Sequence, residues 1–148
     1  MRKKHNERPA ALTNRTRIRV RFSEVDAMQV VWHGEYVRYF EDGRQAFGRE
    51  YGFDYCDFFD NGFTTPIVEL NVQYKHPLTF GEEAIVETRY IATEAAKIIF
   101  DYTVYRAADM SVAATGSSVQ VFINRDRNEL ELNTPHFYRC WKEKWGIL

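Results

Sequence analysis

Hydrophobic and polar positions alternate along several stretches of this chain and recur at helical spacing in two others. From Thr16 to Phe22, Ile18, Val20 and Phe22 share one side of an extended segment while Arg17, Arg19 and Arg21 share the other, the period-two pattern of a half-buried strand. Between Gly34 and Tyr51 the period lengthens. Val37, Phe40, Phe47 and Tyr51 fall on one face, and Glu35, Arg38, Glu41, Asp42, Arg44 and Arg49 supply charge, which predicts the main helix. Gly52 stands where a left-handed terminator belongs. A turn-rich stretch with Asp60, Asn61, Gly62 and Pro66 leads to a second alternating run, Val68, Leu70, Val72 and Tyr74 against Glu69, Asn71, Gln73 and Lys75. Further strands are predicted over about Glu83 to Ile91, Lys97 to Tyr105 and Ser111 to Ile123, with Ala107, Ala108 and Asp109 in a hairpin turn. Thr134 as N-cap, Pro135 at the first helical position, and Phe137, Cys140 and Trp141 at helical spacing predict a short terminal helix. A strand, a helix and then a run of antiparallel strands is an α+β order. Residues 1–14, polar and carrying Pro9, read as a flexible leader to a single domain over 15–148.

Composition narrows the class of partner. A chain of 148 residues with 45% hydrophobic and 16% aromatic content suits one core. Its net charge of −1, from 20 basic and 21 acidic residues, exerts no global pull toward nucleic acid or an anionic membrane. Locally, Arg2, Lys3, Lys4, Arg8, Arg15, Arg17, Arg19 and Arg21 face Glu7 alone. Two readings fit: a solvated tail and strand face, or an anchor for an anionic ligand such as a nucleotide phosphate. Cys56 and Cys140 form no CxxC pair and read as reduced thiols. No apolar run suits a signal peptide or a membrane span, so a soluble cytoplasmic protein is expected. His5, His33, His76 and His136 lack metal-ligand spacing, and no glycine-rich phosphate loop is present. Neither a metal nor another cofactor is expected.

The chemistry concentrates where the first strand gives way to the helix. Asp26 lies in the loop ahead of the His33-Gly34 pair at the predicted helix start. The first N–H groups of a helix lack internal partners and can stabilise an oxyanion, while a carboxylate can attack a carbonyl or activate a water. Loop aspartates ahead of helices also cap turns, and spacing alone leaves both roles open.

The surrounding run, RVRFSEVDAMQVVWHGEYVRYFEDGR, resembles the signature of the 4-hydroxybenzoyl-CoA thioesterase family. That signature reads R-x-R-[YF]-x-E-x-D-x-x-G-x-V-[YF]-H-x-x-Y, followed by Y-F-E-x-x-R. Arg19, Arg21, Phe22, Glu24, Asp26, Val31, His33, Tyr36, Tyr39, Phe40, Glu41 and Arg44 match it, and VQYKHP at Val72 to Pro77 looks like the family's Y-x-x-P strand end. The resemblance implies a hotdog fold, in which a five-stranded antiparallel sheet wraps a central helix; the short C-terminal helix completes the chain. It also implies a homodimer or homotetramer with continuous sheets and active sites at the subunit interface. The implied activity is hydrolysis of an acyl-CoA, with Asp26 as nucleophile or general base and N–H groups around His33 and Gly34 receiving the carbonyl oxygen. Trp32, Tyr36 and Lys75 are the expected substrate contacts, Lys75 with His76 meeting a coenzyme A phosphate. His33 is either an acid or orienting donor or a structural partner, Glu35 competes for the base role, and Glu41 and Arg44 suit a surface or interface ion pair. Two positions depart from the pattern. Gln29 replaces the usual glycine, where a positive φ costs a side chain about 1 kcal/mol or more, so the loop is expected to bend differently. Trp32 replaces a smaller aromatic residue and is expected to narrow the acyl pocket. A non-catalytic acyl-CoA binder or scaffold is the alternative function, and a hotdog dehydratase fits the Asp26 pattern less well. Coenzyme A and acyl carrier protein both remain open as the thiol carrier.

Overall fold

A computed structural model describes residues 8–148; the basic residues Arg2, Lys3 and Lys4, and Glu7, lie outside that range. Strand β1 (Leu12–Arg19) comes first, three residues earlier than the expected domain start at Arg15. A single turn of 3-10 helix at Phe22–Glu24 and a short hairpin lead to helix α1 (Glu35–Tyr51). Helix α2 (Tyr55–Asp60) and strands β2 (Phe63–Thr64), β3 (Ile67–Tyr74), β4 (Glu83–Ile91), β5 (Lys97–Arg106), β6 (Val112–Val121), β7 (Ile123–Asn124) and β8 (Glu129–Leu130) follow, and helix α3 (His136–Lys144) comes last.

The main sheet has five strands in the order β1-β4-β5-β6-β3, each pair antiparallel. It wraps α1, which lies against its inner face through aromatic rings: Phe40 stacks on Tyr102 at 4.3 Å and Phe47 meets Phe100 edge-on at 5.0 Å. This is the α+β, central-helix architecture expected from the sequence. Close approach of helix and sheet depends on Gly43, where an added Cβ would lie 2.3 Å from Thr88 Oγ1 and 2.9 Å from Val86 Cγ1. Gly43→Ala is therefore expected to destabilise the fold by about 1–3 kcal/mol, read from the midpoint of urea unfolding at unchanged slope.

At the other end of α1, Gly52 takes φ 67° as expected for a left-handed terminator. The carbonyl of Tyr51 there accepts both the Trp141 and Trp145 indole N–H groups, at 2.8 and 3.0 Å. Helix α3 is thus tied to the end of α1, and Trp141 also stacks on Phe53 at 4.0 Å. The N-cap of α3 is Pro135 and no side chain caps it; Thr134 stands one residue too early for the role the sequence suggested.

Four elements escape the sequence reading. Helix α2 starts at an Asp54 cap whose carboxylate accepts the Asp57 N–H at 3.1 Å. Strands β2, β7 and β8 form a small second sheet built from pairs of residues. Runs this short carry no period to detect.

The two edges of the main sheet differ. On β1, Arg15 pairs with Glu87, and Arg17 and Arg19 both pair with Glu83, so charge covers that edge. On β3 the expected half-buried pattern is absent. Val68 is 56% exposed, Leu70 43% and Tyr74 52%, because β3 is an edge strand that extends past the cover of α1. An eight-residue edge strand with exposed apolar side chains and one side of its backbone ladder open is a surface made for pairing.

Candidate active site

The segment between β1 and α1 is built by hydrogen bonds that the sequence makes legible once the turn is known. Val25 and Val31 bridge, the Asp26 N–H donates to the Val30 carbonyl at 2.9 Å, and the Gln29 N–H donates to the Asp26 carbonyl at 2.9 Å. This is a tight hairpin closed by a residue in the left-handed region, and Gln29 occupies that place with φ 67°. The loop therefore bends in the way a glycine would favour, and glutamine bears the conformational cost. Gln29→Gly is expected to stabilise the protein: relief of about 1 kcal/mol exceeds the added chain entropy of the unfolded state, about 0.5 kcal/mol. A rise of about 1–2 °C in thermal midpoint checks it.

Asp26 sits at the first corner of this hairpin. Its Oδ1 accepts the Met28 N–H at 2.8 Å, a local cap of the kind that aspartates make in turns. Oδ2 has no such bond among the described residues, so the carboxylate keeps an open face. Further on, the Val31 N–H donates to Leu78 and the Trp32 N–H to Glu24, each at 2.9 Å, and Val30 bridges Thr79. These ties fix the hairpin to the 3-10 turn before it and to the loop after β3.

The start of α1 follows directly. The Glu35 N–H is spent on the Trp32 carbonyl at 2.9 Å. The His33 and Gly34 N–H groups make no hydrogen bond among the described residues, leaving two donors at the positive end of a 17-residue helix. Beneath them, the His33 carbonyl accepts the Tyr74 hydroxyl at 2.8 Å, which pins the helix start to the end of β3. Gly34 has an ordinary helical backbone, φ −71° and ψ −20°; its lack of a side chain serves a close approach. A Cβ there would lie 2.1 Å from Cζ3 of Trp32, so the indole lies over Gly34, with its ring 4.9 Å from that of His33.

The other expected site residues divide. Trp32 is half exposed and available to a substrate. Tyr36 is only 3% exposed and packs edge-on against Tyr39 and Tyr74, so in this chain it is the floor beneath the helix start. Lys75 is exposed beside Tyr74, its Nζ bonded to Gln73 at 3.2 Å. Asp26 and His33 share no hydrogen bond within one chain. Glu41 and Arg44 form no ion pair within the chain either; Arg44 Nη1 donates to the Tyr102 hydroxyl at 3.0 Å. Glu35 is 7% exposed, and its Oε2 is buried without a partner. Nearby, the Tyr39 hydroxyl donates to Glu24 Oε1 at 3.2 Å. Burial, then the adjacent Glu24 carboxylate, pushes this phenol far above its ordinary range and keeps it a donor. Sequence reasoning missed Tyr74 as the anchor of the helix start, although the Y-x-x-P strand end was its signal.

A curved antiparallel sheet wrapped around one long helix is a hotdog fold, the fold of a class of thioesterases. The chain belongs to the thioesterase-like superfamily, whose pattern it matches over residues 20–139. YneP of Bacillus subtilis, provisionally named an acyl-CoA thioesterase, is 37% identical over 105 residues, which are 70% of this chain and 76% of that protein. The DHNA-CoA thioesterase of Staphylococcus aureus superposes with a TM-score of 0.80 at 27% identity, over 90% of this chain and 89% of its own. A 4-hydroxybenzoyl-CoA thioesterase, 18% identical, shares the fold with a TM-score of 0.75 over 87% of this chain and 97% of its own. Among the described residues, no helix is long and apolar enough to cross a membrane.

Proposed function

We propose that this protein hydrolyses acyl-CoA thioesters to a free acid and coenzyme A, with Asp26 as nucleophile or general base. The observation that carries the reading is the pair of unspent N–H groups on His33 and Gly34 at the start of α1. A thioester carbonyl accepting from them develops its negative charge against fixed donors and a helix dipole. Asp26, restrained through Oδ1, presents its second oxygen either to the carbonyl carbon or to a water. On the general-base route Asp26 takes a proton from the attacking water and returns it to the thiolate as the C–S bond breaks. On the nucleophilic route the thiolate leaves as an acyl-aspartyl anhydride forms; a water then cleaves the anhydride to release the acid and restore Asp26, its proton neutralising the thiolate. Trp32 borders the entrance, Tyr36 forms the floor, and Lys75 lies exposed at the end of β3.

The site reads as shared between two copies. Asp26 and the His33 side chain do not meet within one chain, and the open apolar edge of β3 invites antiparallel pairing with β3 of a second copy. Such pairing makes the two sheets continuous and brings the helix start of each subunit to the interface. We read the protein as a homo-oligomer of the cytoplasm, in keeping with free, exposed Cys56 and Cys140.

The test is free-thiol release from acyl-CoAs spanning chain length and aromatic acyl groups, paired with calorimetry on a non-hydrolysable analogue. Turnover with binding supports the proposal. Binding without turnover leaves an acyl-CoA binder, and failure of both removes both readings.

A further inference from the structure

The arginines of the first strand end in a groove that the hydrolytic chemistry does not use. Between β1 and α1 lies an open groove of about 750 Å³, lined by Arg17, Arg19 and Arg21 from the strand and its extension, Arg38 from the helix, and the rings of Phe22 and Phe80. Phe22, expected in the core by its place in the alternating pattern, is instead 78% exposed, because the 3-10 turn at Phe22–Glu24 carries it outward. It meets Phe80, itself 61% exposed, edge to face at 5.9 Å. Two large apolar rings held together among cationic side chains form a contact surface.

Glu24 and Asp42 line the same groove and, with Glu83 and Glu35, match the four arginines in number, so its affinity for an anion rests on how loosely the acids hold them. Glu83 alone serves both Arg17 at 2.6 Å and Arg19 at 2.9 Å. Glu24 spends its Oε1 on the Arg21 backbone N–H and the Tyr39 hydroxyl. Asp42 lies toward Arg21, and Glu35 is 3.8 Å from Arg38. The Arg17, Arg19 and Arg38 side chains are 64%, 69% and 76% exposed, so their ion pairs are weak and exchange readily for a better anion. A phosphate matches the guanidinium fork, and a purine base stacks on an exposed ring.

We infer that this groove is the subsite for the 3′-phosphoadenosine diphosphate end of coenzyme A. The inference rests on the acyl-CoA reading and names where the nucleotide end of that carrier sits. The placement suits it. Phe22 is four residues before Asp26, at most about 14 Å of extended chain, and Phe80 follows Thr79, which bridges the hairpin at Val30. The groove therefore opens at the base of the hairpin, and the pantetheine arm runs from there to the helix start.

The test is calorimetric titration of the full-length protein with adenosine 3′,5′-bisphosphate, which holds no thioester and so reads the groove apart from hydrolysis. The wild type is expected to bind it, more weakly as salt rises. The Arg17→Gln/Arg19→Gln double variant, Arg38→Gln and Phe22→Ala, all at exposed positions and each checked for an unchanged thermal midpoint, are expected to lose about tenfold or more in affinity. In parallel, the preference in kcat/KM for acyl-CoA over the matching acyl-pantetheine is expected to shrink in the same variants. No binding of the bisphosphate, or equal binding by all variants, overturns the subsite even if acyl-CoA is hydrolysed. Binding that the variants weaken, with no hydrolysis of any thioester, upholds the subsite and removes the enzymatic reading. Preferred turnover of an acyl carrier protein substrate, sensitive to the arginines while the bisphosphate fails to bind, assigns the groove to a protein carrier and also overturns it.

Discussion

With lysine in place of Leu70, the protein is expected to sediment as a monomer and to lose about two orders of magnitude or more in turnover, as a misplaced reacting group does. Leu70 is 43% exposed near the middle of β3, an edge strand whose backbone bonds to β6 on one side only. A charge at that point costs the isolated subunit little, since the side chain already meets solvent. In a paired edge it would be buried against its own two-fold mate, where like charges repel in low dielectric. The contrast within the same sheet is informative: β1 carries Arg15, Arg17 and Arg19 with acidic partners, the pattern of an edge protected from pairing. Arg15→Lys on β1 should therefore leave the sedimentation coefficient unchanged. Sedimentation velocity together with circular dichroism separates lost pairing from lost folding.

Asp26→Asn is expected to lower kcat by about 10²- to 10⁴-fold with the thermal midpoint unchanged. The amide oxygen can still accept the Met28 N–H that Asp26 Oδ1 now accepts at 2.8 Å, so the hairpin survives, while the group no longer ionises, attacks or takes a proton. Asp26→Ala removes the same chemistry and the cap as well. It should lose a comparable factor in kcat and in addition about 1 kcal/mol of stability. The pair of variants thus separates the two roles that a loop aspartate can have. Asparagine alone being harmless would leave a turn residue and no catalyst.

Much of the frame was legible because α1, β4 and β5 are long enough for a period to declare itself. Phe40 and Phe47 on one helical face, and Phe100, Tyr102 and Val104 along a strand, reach the core as expected. The family-like run from Arg19 to Arg44 supplied the rest of the architecture, including the curved sheet and its central helix. Phe22 and β3 failed for a common reason: alternation records which side chains share a side, and whether that side is covered depends on where the element lies in the sheet. Phe22 is turned outward by a 3-10 turn, and Leu70 lies at an edge. At the candidate site, Gln29 was legible as a glycine-like position, and the structure places it in the left-handed region. The bond from Tyr74 to the His33 carbonyl joins residues 41 apart in sequence, a separation at which periodicity is silent. The burial of Glu35 was equally hidden, since a charged residue at a helix start is ordinarily solvated.

Asp26 is expected to act on a thioester whose carbonyl is held at the start of α1. The most direct measurement is single-turnover thiol release, with enzyme in excess over an acyl-CoA that calorimetry shows both proteins bind, run side by side on the wild type and Asp26→Asn. The wild type is expected to release one thiol per acyl-CoA, and the variant to bind as tightly but release thiol at least about a hundredfold more slowly. Equal rates in the two proteins would contradict it.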